Sequence, residues 1–184
     1  MSEPNSLYVN ITIKKERLEQ FFQNKPEKAA VSPDWIAWWD SREMYGPQPL
    51  TDIQVYTDDT NRKIAEGFLA VPHLMCDEDQ TQPGVWTFSA LMLSENYEEI
   101  LPTLAWLKSI ANFMEPEDEG FAIIYNYFWA PEDDKDVMAH LVFKDKQAFL
   151  KLTSHISEIE PALVAKANAA LKEVFDKHSA HYND

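Results

Sequence analysis

The chain of 184 residues has a single cysteine, Cys76, and only four glycines, Gly46, Gly67, Gly84 and Gly120. One cysteine excludes an intramolecular disulfide and fits a reducing compartment. Glycines at those four positions spell neither GxGxxG nor GxxxxGK[ST], which removes the common phosphate-cradling loops. Basic residues are scarce as well: 16 Lys and Arg stand against 31 Asp and Glu, a formal net charge of −15. Nucleic-acid binders draw their affinity from neutralising phosphates, so this balance argues against one. It argues equally against a basic membrane-surface protein. No stretch approaches the roughly 20 apolar residues of a spanning helix. The segment Met1 to Ser6 carries no basic run followed by an apolar one, so no signal peptide is read. The expectation is a cytoplasmic protein, monomeric or weakly dimeric, with no nucleic-acid or membrane partner.

Hydrophobic residues make up 45% of the chain and aromatics 12%, enough for a sizeable core without metal or disulfide. Leu7, Val9, Ile11 and Ile13 alternate with polar positions, the period of a strand. A helix follows over 14–24. Ser32-Pro33-Asp34 is a helix start, with a capping hydroxyl, proline in the first turn and then an acid. Trp35, Trp38 and Trp39 then share one face of a helix reaching about Met44. Asp52–Thr57 and Phe68–Val71 read as short strands around a helical turn at 61–65. Residues 72–83 read as a polar loop, and 84–93 as a strand with Trp86 and Phe88 on one face. Asn96-Tyr97-Glu98-Glu99 has the spacing of a capping box and opens a helix interrupted by Pro102. Phe121–Trp129 and Val137–Phe143 form a hairpin across an acidic turn. Asp145 caps a helix through Ile156, and Pro161 starts the last helix, to about residue 178.

Strands joined by hairpins and covered by helices specify an α+β fold. The expected form is a two-layer sandwich of antiparallel or mixed sheet with helices, and ferredoxin-like βαββ units are the nearest common plan. It is expected as one domain, with loose halves 1–72 and 84–160 and a C-terminal helix 161–178.

The charge is concentrated. Residues 72–136 hold fourteen of the acids and two of the bases. The excess falls in three connecting segments: Asp77, Glu78 and Asp79; Glu115 with Glu117, Asp118 and Glu119; and Glu132, Asp133, Asp134 and Asp136. If these share one end of the sheet they form an acidic rim, either a solvated surface or a face for a basic partner. Trp129 borders the third segment and is the aromatic anchor to watch, with Trp39.

No catalytic constellation stands out. His73 and Cys76 are too few for a metal site. His140 lies opposite the apolar face of its strand, and His178 and His181 sit near the chain end. Glu115–Gly120 lacks the Asp positions of a calcium loop. The expectation is therefore no enzyme, no cofactor and no metal. The leading reading is an immunity-type inhibitor, of the kind bacteria keep against toxins, which neutralises a basic toxin or enzyme by protein–protein binding. The alternatives are a structural or adaptor domain without chemistry, and a small-molecule enzyme using carboxylates.

Overall fold

The computed structural model describes residues 2–180. His181 lies outside them. In chain order the elements are β1 (Asn5–Thr12), α1 (Lys15–Gln23), α2 (Pro33–Asp40), α3 (Asn61–Leu69), β2 (Cys76–Asp79), β3 (Val85–Ser94), α4 (Tyr97–Ser109), β4 (Gly120–Tyr125), β5 (Val137–Lys144), β6 (Gln147–Leu150) and α5 (Pro161–Ala180). The six strands form one sheet in the order β2-β3-β1-β4-β5-β6, antiparallel throughout. The first four strands have the order and directions of a ferredoxin-like βαββαβ unit, with α1–α3 as the first crossover and α4 as the second. β5 and β6 extend it as a meander. The expected halves are thus not separate in the sheet: β1, from 1–72, lies between β3 and β4, both from 84–160.

Period two places the two faces of β1 in different environments. Leu7, Val9 and Ile11 join the core under α1, α2 and α4, together with Phe21, Trp35, Trp38, Trp86, Phe88 and Trp106. Tyr8 points the other way, with Leu91, Ile123 and Tyr125, and is covered by Ala167, Leu171 and Val174 of α5. The sheet centre is therefore buried on both sides, and α5 adds a cover to the second face. Close approach of β4 to β1 depends on Gly120. A Cβ there would lie 2.7 Å from the Asn10 carbonyl oxygen and 2.8 Å from the Ile11 Cα.

Several local expectations are corrected. Residues 52–57 have no regular secondary structure and join no strand pair among the described residues. They form a strap held by buried Ile53 and by the Tyr56 hydroxyl, 2.8 Å from the Thr103 hydroxyl. The turn at 61–65 and the strand at 68–71 are one helix, α3. It is capped by Thr60, whose hydroxyl accepts from the Lys63 N–H, and its Phe68 stacks on Trp106. Ile64, Ala65 and Phe68 give the helical stripe, which Gly67 interrupts in sequence but not in space. The 72–83 loop contains the edge strand β2. The helix expected from Asp145 is instead a hairpin into β6: Asp145 and Lys146 both have positive φ, 52° and 60°, as a two-residue turn of the primed type requires. α2 stops at Asp40 rather than Met44, and β4 at Tyr125 rather than Trp129. At Asn96 a cap is made but not the capping box, because the bond goes to the second helical residue and the Asn96 N–H donates to the Ser94 hydroxyl. The Asn96 side chain accepts from the Glu98 N–H, while Glu99 accepts from the Ser94 hydroxyl.

Candidate functional site: one acidic end of the sheet

The strand register defines two ends. At one, Asn5 faces Ser94, Ser6 faces Tyr125, and Tyr125 faces Val137. This end collects the start of β1, the β3–α4 junction and the β4–β5 connection. The chain following α2 joins them, because Arg42 donates to the Val137 carbonyl at 2.9 Å. At the other end Thr12 faces Val85, Ile11 faces Gly120, and Gly120 faces Phe143.

The first end is strongly acidic. Glu132, Asp133, Asp134 and Asp136 are exposed on the β4–β5 connection. Glu95, Glu98 and Glu99 are exposed at the β3–α4 junction, with Glu3 and Glu43 from the neighbouring segments. Among the described residues none of these carboxylates forms an ion pair with a lysine or arginine. Asp134 meets only His155, at 3.4 Å. The other contacts are neutral: Glu95 accepts from the Glu3 N–H and Glu99 from the Ser94 hydroxyl.

Three cations lie at or beside this end: Arg42 and Lys135 are turned inward, and Lys172 of α5, which borders the same cleft as Glu132, is exposed and pairs with Asp176 at 2.7 Å. Arg42 is buried and spends its guanidinium on neutral acceptors: the carbonyls of Val137, Thr153 and Leu152 and the hydroxyls of Ser41 and Ser154. It bolts the end of α2 to the place where the chain leaves β6 and passes β5. Lys135 is buried within the β4–β5 connection. Its ammonium donates to the carbonyls of Tyr127 and Ala130 and lies 4.8 Å from the Tyr127 ring centroid. Burial lowers its pKa, and the charge of Glu132 opposes that shift. Burial also raises the Tyr97 hydroxyl, which faces a cleft lined by Arg42, Glu43 and Asp136.

The β4–β5 connection is a built structure. Ala130 N–H donates to Asn126 C=O, Tyr127 N–H to Tyr125 C=O, and Asp134 N–H to Pro131 C=O. The segment beyond β6 clasps its far side, with Val137 N–H on Ser154 C=O and Ile156 N–H on Lys135 C=O. The turn projects Phe128 and Trp129, 39% and 40% exposed, in ring contact at 4.9 Å.

The three acidic segments read from the sequence do not share a rim. Glu117, Asp118 and Glu119 precede β4 and lie at the opposite end, where Asp118 is buried and caps the Glu115 N–H. Glu115 there is taken by Lys14, at 2.5 Å, and approached by Arg17. Asp77, Glu78 and Asp79 sit on edge strand β2, separated from β4 by three strand spacings, roughly 14 Å. Asp77 pairs with Lys177 at 2.8 Å, and Glu78 takes both terminal nitrogens of Arg62, at 2.6 and 3.0 Å, together with the Trp86 indole N–H. Burial would raise the Glu78 carboxyl, but the hydrogen bonds from Arg62 and Trp86 outweigh it and hold the pKa low. Asp79 turns back on the Thr81 N–H. Only the 132–136 segment and Trp129 stand at the acidic end.

Glu3, Glu43, Glu95, Glu98 and Glu99 were not among the residues expected to contribute. Glu95, Glu98 and Glu99 occur within five positions of the sequence, the signal that pointed to the other runs. They read as helix-start residues because acids favour the first turn of a helix. Trp35, Trp38 and Trp39 are core, as their spacing indicates, each no more than 5% exposed.

The reactive residues are not assembled for chemistry. Burial, then Asp77, pushes the Cys76 thiol up to about 12, far from thiolate formation. His140 is buried rather than facing solvent. One ring nitrogen meets the Thr153 hydroxyl at 2.8 Å, and burial pushes its pKa down to about 4. Among the described residues no group of three or more His, Cys, Asp or Glu is placed to hold a metal ion. Among the described residues no helix is long and apolar enough to cross a membrane. In comparisons with known proteins, no family model, no curated protein and no solved structure matches this chain.

Proposed function

We propose that the chain is a binding protein of the immunity type: it neutralises a basic toxin or enzyme by covering that partner's cationic surface with the acidic end of the sheet. The observation that supports this reading is the cluster of exposed carboxylates at that end, which have no lysine or arginine partner among the described residues, while Arg42 and Lys135 are turned inward and Lys172 pairs with Asp176. An acidic surface of this kind steers a basic partner and accelerates encounter. A cytoplasmic setting agrees with a single buried cysteine.

The test uses a basic protein encoded beside this chain, if its toxicity is relieved by co-expression. Association rates are measured for the wild type and for a variant with Glu98, Glu132, Asp133 and Asp136 reversed to lysine, from about 0.05 to about 0.5 M salt. The wild type associates faster at low salt, and the advantage disappears at high salt. Equal rates for the two proteins at low salt overturn the proposal.

A further inference from the structure

We infer that Phe128, Trp129 and Phe175 form the anchor on which a basic, amphipathic segment of a partner protein docks. The inference rests on the acidic-end reading and names the partner's chemistry there. Phe128 touches Trp129 at 4.9 Å and Phe175 of α5 at 5.6 Å, so the three rings are contiguous across two elements. Each is 39–40% exposed. Isolated exposed apolar side chains are ordinary, whereas contiguous aromatics rimmed by polar groups mark interaction sites.

Three further observations decide the occupant. First, Phe128 borders an open cleft of about 410 Å3 between the β4–β5 connection and α5, large enough for a side chain, with Trp129 and Phe175 in ring contact with Phe128 outside its lining. Second, the exposed segment 132–134 beside the rings is negative, Glu132 reaching the cleft itself. Glu132, Asp133 and Asp134 have no lysine or arginine partner among the described residues, and the two lysines of the cleft are already engaged. Lys172 is held by Asp176 at 2.7 Å, and Lys135 by main-chain carbonyls. The complementary ligand pairs apolar side chains with lysine or arginine. Third, the anchor is preorganised. Lys135 ties together the carbonyls on either side of Phe128 and Trp129, so docking need not order the turn, a cost that otherwise weakens binding.

The probe is an acetylated, amidated dodecapeptide with five lysines and two phenylalanines in a serine–glycine background, titrated into the full chain. Two controls replace either the phenylalanines by serine or the lysines by glutamate. Affinity is read by titration calorimetry, and the place of binding by the six indole N–H signals of the wild type. The Trp129 signal is expected to move, while those of the buried Trp35, Trp38, Trp39, Trp86 and Trp106 stay. Phe128→Ala with Trp129→Ala is expected to weaken the peptide about tenfold or more at every salt concentration, with near-ultraviolet circular dichroism confirming an intact core. Asp133→Lys with Asp134→Lys weakens it at low salt only. If the lysine peptide binds with the Trp129 signal unmoved, or the phenylalanine-free control binds as well, the anchor is overturned while the charge reading stands. If no peptide binds, or the glutamate control binds equally, both fall. Movement of the Trp129 signal with protein concentration alone would make the occupant a second copy of this chain and overturn the basic partner.

Discussion

The two ends of the sheet treat their acids differently. Beyond Thr12 and before Gly120, two of the four acids are absorbed by the fold: Glu115 pairs with Lys14, and Asp118 caps a backbone N–H from a buried position, while Glu117 and Glu119 stay exposed. Beyond Tyr125 and before Val137, acids are displayed, and the nearby cations Arg42 and Lys135 hold carbonyls instead. Net charge along the chain therefore says little about charge offered to a partner. Acids become a candidate surface when tertiary structure gives the local cations other work.

The largest expected effects test the division between framework and display. Trp38 is fully buried, and its indole N–H donates to the Met138 carbonyl at 3.1 Å. Trp38→Ala should destabilise by about 3–5 kcal/mol through the cavity it leaves and the carbonyl it orphans. Trp129→Ala, at the displayed end, should stay within about 0.5 kcal/mol. Denaturant midpoints measured side by side decide it. Equal losses would mean that Trp129 is also framework, and would remove it from the binding surface.

Arg42→Met is next. The substitution keeps much of the side-chain volume and removes every donor to Val137, Thr153 and Leu152. Unpaired buried carbonyls cost about 1–3 kcal/mol each, so a total of about 3 kcal/mol is expected. Amide exchange should quicken first at Val137 and Ile156, whose N–H groups join the clasped segments. Unchanged exchange there would show that the acidic end does not depend on its internal cation.

These predictions concern features with unequal visibility in the sequence. The strands with clean alternation and the helices opened at Pro33 and Asn96 are legible, because side-chain period, proline in the first turn and capping chemistry act within a few residues. At Ser32 the expected cap is not made, its hydroxyl donating to the Asp34 carboxylate at 2.5 Å instead of accepting a backbone N–H. The β5–β6 hairpin is not legible. Asp145-Lys146 lacks the glycine that usually marks such a turn, so the left-handed backbone has no residue-level sign. α3 was split because Gly67 interrupts a short stripe. In the candidate site, the 132–136 segment and Trp129 were visible as a charge run beside an aromatic. The contribution of Glu95, Glu98 and Glu99 was hidden because it depends on Asn5 pairing with Ser94 across 89 positions. Likewise, nothing local indicates that Lys14 neutralises Glu115 or that Arg62 neutralises Glu78.

The Arg62–Glu78 pair gives a pH test of the absorbed acids. Glu78 has a depressed folded pKa, so its contribution to stability is fully present above the unfolded value of about 4.3 and is lost as pH falls through the folded value. Glu78→Gln should be less stable than wild type at neutral pH, and the gap should close below about pH 4 as the wild-type carboxyl protonates. Urea midpoints across that range check it. A gap that stays constant down to the acid limit would assign the loss to packing instead of charge.

The smallest effect is the sharpest discriminator between the ends. Asp133→Lys acts where carboxylates crowd without a basic partner, so it relieves like-charge repulsion. Its effect on stability should lie within about 0.5 kcal/mol and favour the folded state at low salt. Glu115→Lys acts where the carboxylate is already engaged by Lys14 and Arg17, and it brings a third cation among them. It should lower the midpoint at low salt. Both differences should shrink as salt rises, because charges at the surface are screened beyond about 10 Å at 0.1 M and beyond about 3 Å at 1 M. Opposite signs at low salt that converge at high salt are the result expected of one end that displays its acids and another that absorbs Glu115 and Asp118. The same sign at both ends would mean that the Lys14–Glu115 contact adds nothing in solution, a common fate of surface pairs. The contrast between the ends would then rest on the buried Asp118, Arg42 and Lys135 alone.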